Sequence, residues 1–217
     1  MQTLTEEITR QGLTNHVVSD SQLARILSGS AQRRHHLVNR ALKAGELIRL
    51  RRGLYVLDVR LRDHGVHPFA LAQVLVPGSY VSFETALAHH GWIPEAVRTV
   101  ACVTPGRKSA AFEVPAFGSF SFSPLAIEEG GFLELIAREA SESQHMLVAK
   151  PVRALMDLAC LRKWSWQGLA WLTESLRIEP DLLRSITGAD IRTLEPVYKH
   201  RRMKAFLREL ARELGND

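Results

Sequence analysis

The most strongly patterned segment of the chain is residues 31–56, which read AQRRHHLVNRALKAGELIRLRRGLYV. Its first part predicts an amphipathic helix that ends at Gly45, because apolar residues recur at helical spacing and glycine commonly follows a helix. The residues that follow predict two short strands, 47–50 and 54–57, joined by residues 51–53 (Arg-Arg-Gly). The apolar stripe of the predicted helix consists of Leu37, Val38, Ala41 and Leu42.

The opposite face of this predicted helix carries polar and basic side chains and no acid. Gln and Asn can pair with adenine, Arg with guanine, and Lys with phosphate. The ordinary explanation of such a charge run is a basic face that is simply solvated. The order of the neighbouring elements therefore has to decide between this explanation and DNA binding. Arg34 points toward the apolar stripe and is expected to reach around the helix N-terminus to a phosphate, or to pair with an acid, rather than read a base.

Residues upstream predict the other half of a DNA-binding unit. Ser19 or Asp20 can cap a short helix, and residues 28–30 (Ser-Gly-Ser) form a turn into the longer one. A short helix, a tight turn, a long helix and a basic hairpin follow each other as in a winged helix-turn-helix. The predicted DNA-binding residues are Ser30, Gln32, Arg33, His36, Asn39, Arg40 and Lys43 on the helix, and Arg49, Arg51 and Arg52 on the hairpin.

Composition places the chain among globular proteins, with 46% hydrophobic and 24% charged residues. No segment approaches the length of a membrane span, and the first residues lack the apolar core of a signal peptide. Cys102 and Cys160 are expected to be buried thiols rather than a disulfide. A cytoplasmic protein is predicted, and its net charge of +5 is concentrated in the first quarter of the chain.

The predicted fold class is α+β in two parts. A winged helix-turn-helix domain is predicted over residues 1–58, a polar linker over 59–67, and a body domain over 68–217. We expect the body to hold a small antiparallel sheet with helices on one side, followed by a helical C-terminal part. Its predicted strands are 97–104, 110–114, 118–122 and 145–149, and its predicted helices are 69–76, 83–90, 152–162, 167–176 and 196–214, with a short turn at 181–186.

Three segments resemble the AbiEi antitoxin family. Residues 80–95, YVSFETALAHHGWIPE, are similar to a family segment with a Tyr/Val-Ile-Ser opening, an Ala-Leu pair, a His-Gly step and a Pro-Glu. Residues 149–157, AKPVRALMD, resemble its Ala-x-Pro-x-Lys-Ala-Leu-x-Asp element, with Arg153 where lysine is commoner. Residues 52–55, RGLY, resemble its wing. The resemblance covers most of the chain but does not extend past Trp164.

The resemblance implies the antitoxin of a type IV toxin–antitoxin system. In that family the winged module represses its own operon by binding promoter DNA, and the toxin partner is a nucleotidyltransferase-like protein. Two alternatives remain: a ligand-sensing winged-helix transcription regulator without a toxin, and a nuclease targeted by a winged head. The nuclease would need a cluster of two acids and a lysine, for which the strand region offers only Lys108 and Glu113.

Sequence signatures of catalysis and metal binding are missing. The chain has no Cys-x-x-Cys, His-x-x-x-His, Gly-x-Ser-x-Gly, Walker loop, Gly-x-Gly-x-x-Gly or Asp-x-Asp. The adjacent pairs His35–His36 and His89–His90 are predicted to form no ligand face, because neighbouring side chains on a helix point about 100° apart. We therefore expect no enzymatic activity, no metal and no cofactor.

Overall fold

The computed structural model describes residues 3–141 and 144–215, which form an α+β fold. The first part of the chain contains α1 (Leu4–Arg10), β1 (Val18–Ser19), α2 (Asp20–Ile26), α3 (Ala31–Lys43), β2 (Leu47–Arg51) and β3 (Leu54–Leu57), followed by a 3-10 turn at Val59–Leu61. The remainder contains α4 (Pro68–Leu75), β4 (Tyr80–Val81), α5 (Phe83–His89), β5 (Thr99–Val103), β6 (Ala110–Val114), β7 (Gly118–Ser123), β8 (Ile136–Ser141), β9 (Gln144–Ala149), α6 (Pro151–Leu161), α7 (Leu169–Leu176), α8 (Pro180–Arg184), α9 (Gly188–Leu194) and α10 (Arg201–Leu214).

The N-terminal part packs its three helices on a small antiparallel sheet of order β1-β3-β2. Local capping explains where these helices start: Ser19 caps α2 in a reciprocal pair with Gln22, and the hydroxyl of Ser30 accepts a hydrogen bond from the backbone of Arg33. Gly45 follows α3 at φ +67°, as the sequence predicts. A separate apolar core fills this part, with Leu4, Ile8, Leu23, Val38, Tyr55 and Leu57 among its buried residues.

The hairpin between β2 and β3 turns at Gly53, which has φ +76°. Its carbonyl accepts a hydrogen bond from the backbone N–H of Asp20, at the start of α2. A Cβ placed on Gly53 would lie 3.0 Å from Oδ2 of Asp20. The turn therefore needs glycine both for its conformation and for its close approach to α2.

Replacing Gly53 with alanine is expected to lower the free energy of unfolding by about 1–3 kcal/mol, because a positive φ and a crowded Cβ add together. Gly12→Ala is the matched control, since Gly12 has φ +68° but a Cβ added there would meet nothing within 4 Å. Urea unfolding should show a larger loss for Gly53→Ala than for Gly12→Ala. Equal losses would mean that the contact with Asp20 is relaxed without cost.

The second part of the chain corrects the prediction of a small antiparallel sheet. Its sheet has six strands in the order β6-β7-β5-β4-β9-β8 and is mixed, because β5 pairs with β7 and β4 pairs with β9 in parallel. Helices α4 and α5 pack against its central strands, and α6 packs against α5. The predicted strands are present, but β4 and β8 were missed, since β4 has only two residues and β8 carries a mixed pattern, IAREAS.

The C-terminal helices also depart from the prediction in two places. Helix α9 was not predicted, and α10 begins at Arg201 rather than at residue 196. Residues 195–197 form a turn instead, and Tyr198 forms a β-bridge with Ile127. Tertiary pairing therefore overrides the helical pattern at this point.

The two motifs of the body that carry the family resemblance meet in a buried polar network of Tyr80, Ser82, Arg153, Asp157 and Tyr198. Each of these residues is fully buried. Asp157 accepts hydrogen bonds from Arg153 and Tyr198 at Oδ1, and from Tyr80 and Ser82 at Oδ2, over 2.7–3.0 Å. Ser82 directly precedes α5, but its hydroxyl donates to Asp157 and makes no cap hydrogen bond to the helix.

All three guanidinium nitrogens of Arg153 donate hydrogen bonds. Besides Asp157 it donates to the hydroxyl of Tyr80 at 2.6 Å and to the carbonyls of Gly131 and Glu134 at 3.1 and 2.7 Å. Burial, and then the charge of Asp157, raise the pKa values of Tyr80 and Tyr198 well above the usual range. The network therefore consists of one ion pair, with neutral hydroxyls completing its hydrogen bonds.

The two parts of the chain share apolar contacts. Leu50 and Val56, on β2 and β3, belong to the larger core, and β2 contacts β6. Hydrogen bonds also fix segment 59–67. The side chain of Asn15 accepts one from the backbone N–H of Asp63, and the side chain of Gln144 accepts one from the backbone N–H of His67. The domain limits 1–58, 59–67 and 68–217 remain predictions, but the sheet of the first part lies directly on the second.

Both cysteines are free and buried, as the sequence predicts. Burial raises the pKa of the Cys102 thiol and that of Cys160, so neither is poised as a thiolate. Within residues 3–141 and 144–215, no helix is long and apolar enough to cross a membrane.

Candidate nucleic-acid interface

The outer face of α3, away from the N-terminal core, is open to solvent. Gln32, His36, Arg40 and Lys43 are exposed on it, while Val38 and Ala41 on the opposite face are buried. This division agrees with the predicted helical stripe. The polar side chains that could read a groove are therefore presented outward.

The β2–β3 hairpin adds a second basic segment. Arg49, Arg51 and Arg52 are all exposed. The guanidinium carbon of Arg49 lies 5.9 Å from the ring centroid of Tyr55, so this side chain is held against the sheet by a cation–π contact. Arg51 and Arg52 extend from the turn itself and have no such restraint among the described residues.

Three of the predicted site residues have local partners that the sequence did not reveal. Arg33 donates through Nη1 to the carbonyl of Ser28 at 3.0 Å, which ties it to the turn between α2 and α3. Nδ2 of Asn39 lies 2.9 Å from Nε2 of His35, and Asn39 is half-buried. Ser30 uses its hydroxyl as the cap of α3. These three residues help to shape the face. The exposed side chains without such local partners are those of Gln32, His36, Arg40, Lys43, Arg51 and Arg52.

The side chain of Arg34 points in the predicted direction. Its Nη1 reaches back past the helix N-terminus and donates to the carbonyl of Gly29 at 3.3 Å. With His35 it lines a cleft of about 240 Å³ between α2, α3 and β3, which Asp20 and Tyr55 also line. The hydrogen-bond distance to Gly29 is long, so the guanidinium is only loosely held. Arg34 thus adds positive charge beside the start of α3.

Acidic residues near the face are few and mostly engaged. Glu46 accepts a hydrogen bond from Thr5 at 2.6 Å, and Asp58 forms an ion pair with Arg60 at 2.6 Å. Asp20 lies beside the hairpin turn, which the sequence did not indicate because 33 residues separate it from Gly53. In the part of the chain that the structure describes, Arg40, Lys43, Arg51 and Arg52 form no ion pair, so their charge faces solvent.

A second polar cluster lies in the body, where the sequence predicted no ligand face. One ligand atom from each of His89, His90 and Glu139 lies within 4.8 Å of the others. The ring centroids of the two histidines lie 5.1 Å apart at the end of α5, where His89 is the last helical residue and His90 the cap. Glu139 comes from β8, a strand that the sequence did not predict, so no spacing motif could reveal the cluster.

No known family model and no curated protein matches this chain. Among solved structures, it is similar to the crystal structure of the RV2827C protein from Mycobacterium tuberculosis. The likeness has a TM-score of 0.61, covers 98% of this chain and 76% of that one, and goes with 16% sequence identity. At that identity the likeness shows a shared α+β fold that extends over nearly the whole chain.

Proposed function

We propose that the protein binds double-stranded DNA through a winged helix-turn-helix, with α3 as the recognition helix and the β2–β3 hairpin as the wing. The observation that carries this proposal is that four cations are exposed and have no ion-pair partner among the described residues: Arg40 and Lys43 on α3, and Arg51 and Arg52 on the hairpin that follows it. The order α1-β1-α2-α3-β2-β3, with sheet order β1-β3-β2, also fits this module.

The dimensions of the face suit a DNA groove. Helix α3 has 13 residues, which corresponds to a length of about 20 Å, and the major groove is wide enough to admit a helix. Gln32 and His36 lie on its first half, where recognition helices contact base edges. Arg40, Lys43 and the hairpin arginines supply phosphate contacts, which fix the register without reading sequence.

A base-reading role for Gln32 predicts a loss of both affinity and selectivity in Gln32→Ala. A bidentate contact to a base gives about 1–3 kcal/mol of discrimination, so affinity for the DNA upstream of the gene should fall about 5–150-fold. Fluorescence anisotropy with that duplex, and with duplexes changed one base pair at a time, would measure this. In the variant, one position should lose its preference.

Gln167→Ala is the matched control, because Gln167 is an exposed glutamine in the body. It should leave both affinity and base preference unchanged. Arg40→Ala should instead weaken binding to all duplexes alike, as expected for a phosphate contact. Unchanged selectivity in Gln32→Ala would remove this residue from the reading face.

We further propose that this binding represses the protein's own operon, and that the protein is the antitoxin of a type IV toxin–antitoxin pair. The support is the AbiEi resemblance of the segments that hold Ser82, Arg153 and Asp157. A nucleotidyltransferase-like reading frame beside the gene would be the toxin. Expressing that frame alone should arrest growth, and co-expressing this chain should restore it.

A ligand-sensing regulator without a toxin is the second candidate, and one observation favours it. A groove of about 490 Å³ lies on the body between the end of α7, the loop before β5 and the sheet. Two ion pairs lie at this groove, Arg162 with Glu84 and Arg177 with Glu95. For this candidate, a small molecule should change operator affinity, and the neighbouring gene should not be toxic.

A further inference from the structure

His89, His90 and Glu139 bring three potential metal-ligating side chains close together. Nε2 of His89 lies 2.9 Å from Oε2 of Glu139, a hydrogen-bond distance. Two atoms bound tetrahedrally to one Zn²⁺ at about 2.0–2.2 Å each are about 3.3–3.6 Å apart, so these two groups need to separate by only about 0.5 Å to share an ion. One ligand atom from each of the three residues lies within 4.8 Å of the others. They come from the end of α5 and from β8, so the fold rather than one helix sets their positions.

The second ligand is held by a partner typical of metal-bound histidines. Nε2 of His90 lies 2.9 Å from the carbonyl oxygen of Ala149, at the end of β9. A carbonyl oxygen only accepts hydrogen bonds, so Nε2 carries the proton and the lone pair of His90 is on Nδ1. A backbone carbonyl that fixes the ring and its tautomer is the usual outer contact of a metal-ligating histidine.

The surroundings leave the cluster without a competing cation. Within residues 3–141 and 144–215, Glu139 has no lysine or arginine ion-pair partner, and it pairs instead with His89. The Phe69 ring packs edge-on against the His89 ring, with centroids 5.2 Å apart, and shields one side. His67 lies at the edge of this group, where burial and then the nearby His89 lower its pKa.

We propose that His89, His90 and Glu139 bind one divalent transition-metal ion of the Zn²⁺ class. Two imidazoles and one carboxylate form a ligand set that Zn²⁺ accepts, with water at the fourth position. His89 and Glu139 are part-exposed, so an ion can enter from solvent. The bound ion joins the end of α5 to the edge strand β8, and this site does not depend on the proposed DNA binding.

The test is Zn²⁺ titration of the untagged, metal-free full-length protein by isothermal calorimetry, with thermal unfolding as a second measurement. We expect one equivalent to bind, and the unfolding temperature to rise by about 5–10 °C at Zn²⁺ 100-fold above the dissociation constant. Glu139→Gln keeps an acceptor for His89 but removes the carboxylate, and His89→Ala removes a ligand. Both should weaken Zn²⁺ binding at least about tenfold.

His36→Ala is the control, because it removes an exposed histidine on α3 and should leave Zn²⁺ binding unchanged. Thermal unfolding without metal shows whether each variant is still folded, so a loss of binding cannot be mistaken for a loss of fold. Wild-type affinity in both Glu139→Gln and His89→Ala would overturn the proposal. Loss of binding in His36→Ala, with the other two unaffected, would move the site to α3 and would also overturn it.

Discussion

Replacing Asp157 with alanine is expected to lower the free energy of unfolding by about 3–5 kcal/mol, a large share of the roughly 5–15 kcal/mol that stabilises a typical domain. The change leaves the buried Arg153 without its counter-charge and removes the acceptor for Tyr80, Ser82 and Tyr198. Arg153 cannot turn to water, because its side chain is fully buried. Guanidinium chloride unfolding followed by circular dichroism would measure the loss.

Asp181→Ala is the matched control for this experiment. Asp181 also pairs with an arginine on its own helix, Arg184, but its side chain is 92% exposed. Its loss should cost less than about 1 kcal/mol, because exposed ion pairs contribute little. If Asp157→Ala does not fold, Tyr198→Phe tests the same network, with an expected loss of about 1–3 kcal/mol for one buried hydrogen bond. A cost for Asp157→Ala as small as that for Asp181→Ala would contradict the role of the network.

Replacing Arg40, Lys43, Arg51 and Arg52 together with alanine is expected to lower DNA affinity by roughly 100-fold or more in low salt. Each phosphate contact releases a counterion, so the slope of log affinity against log salt should become less steep by about 3–4. All four side chains are exposed and have no ion pair among the described residues, so the fold should be unaffected. Anisotropy titrations between about 50 and 200 mM salt would measure both quantities, because DNA affinity falls steeply over that range.

The control removes the same charge from another surface. Lys199, Arg201, Lys204 and Arg208 are exposed on or just before α10, and replacing these four with alanine should leave the salt slope nearly unchanged. An equal loss of DNA affinity in this control variant would show that affinity depends on the net charge of the protein rather than on the cations of α3 and the hairpin. Substitution is a cleaner test than deleting residues 1–58, because deletion would also remove Leu50 and Val56 from the larger core.

The sequence predicted those parts of the fold that are determined by residues close together in the chain. Helix α3 has its cap at Ser30, its apolar stripe around Val38 and its glycine stop at Gly45 within one short segment. The same local pattern predicted which side chains would be exposed. It could not predict that Arg33 would bond to Ser28 or Asn39 to His35, since such contacts depend on rotamers.

The parts that the sequence did not predict depend on pairing between distant segments. The parallel pairing of β5 with β7 and of β4 with β9 leaves no local pattern, because it is fixed by connections that lie between the strands. Likewise, Tyr198 reaches Asp157 across 41 residues of sequence, and Glu139 reaches His89 across 50. These two gaps explain why the buried network and the cluster of His89, His90 and Glu139 became visible only in three dimensions.

The position of Leu50 and Val56 has a mechanical consequence. Because the side chains of Leu50 and Val56, on β2 and β3, are buried in the core of the larger part, we expect α3 to move together with the body rather than on a flexible tether. If two copies of the chain associate through their bodies, the spacing and angle between their two α3 helices are set by that association alone. The preferred distance between half-sites on DNA would then report the geometry of the paired bodies.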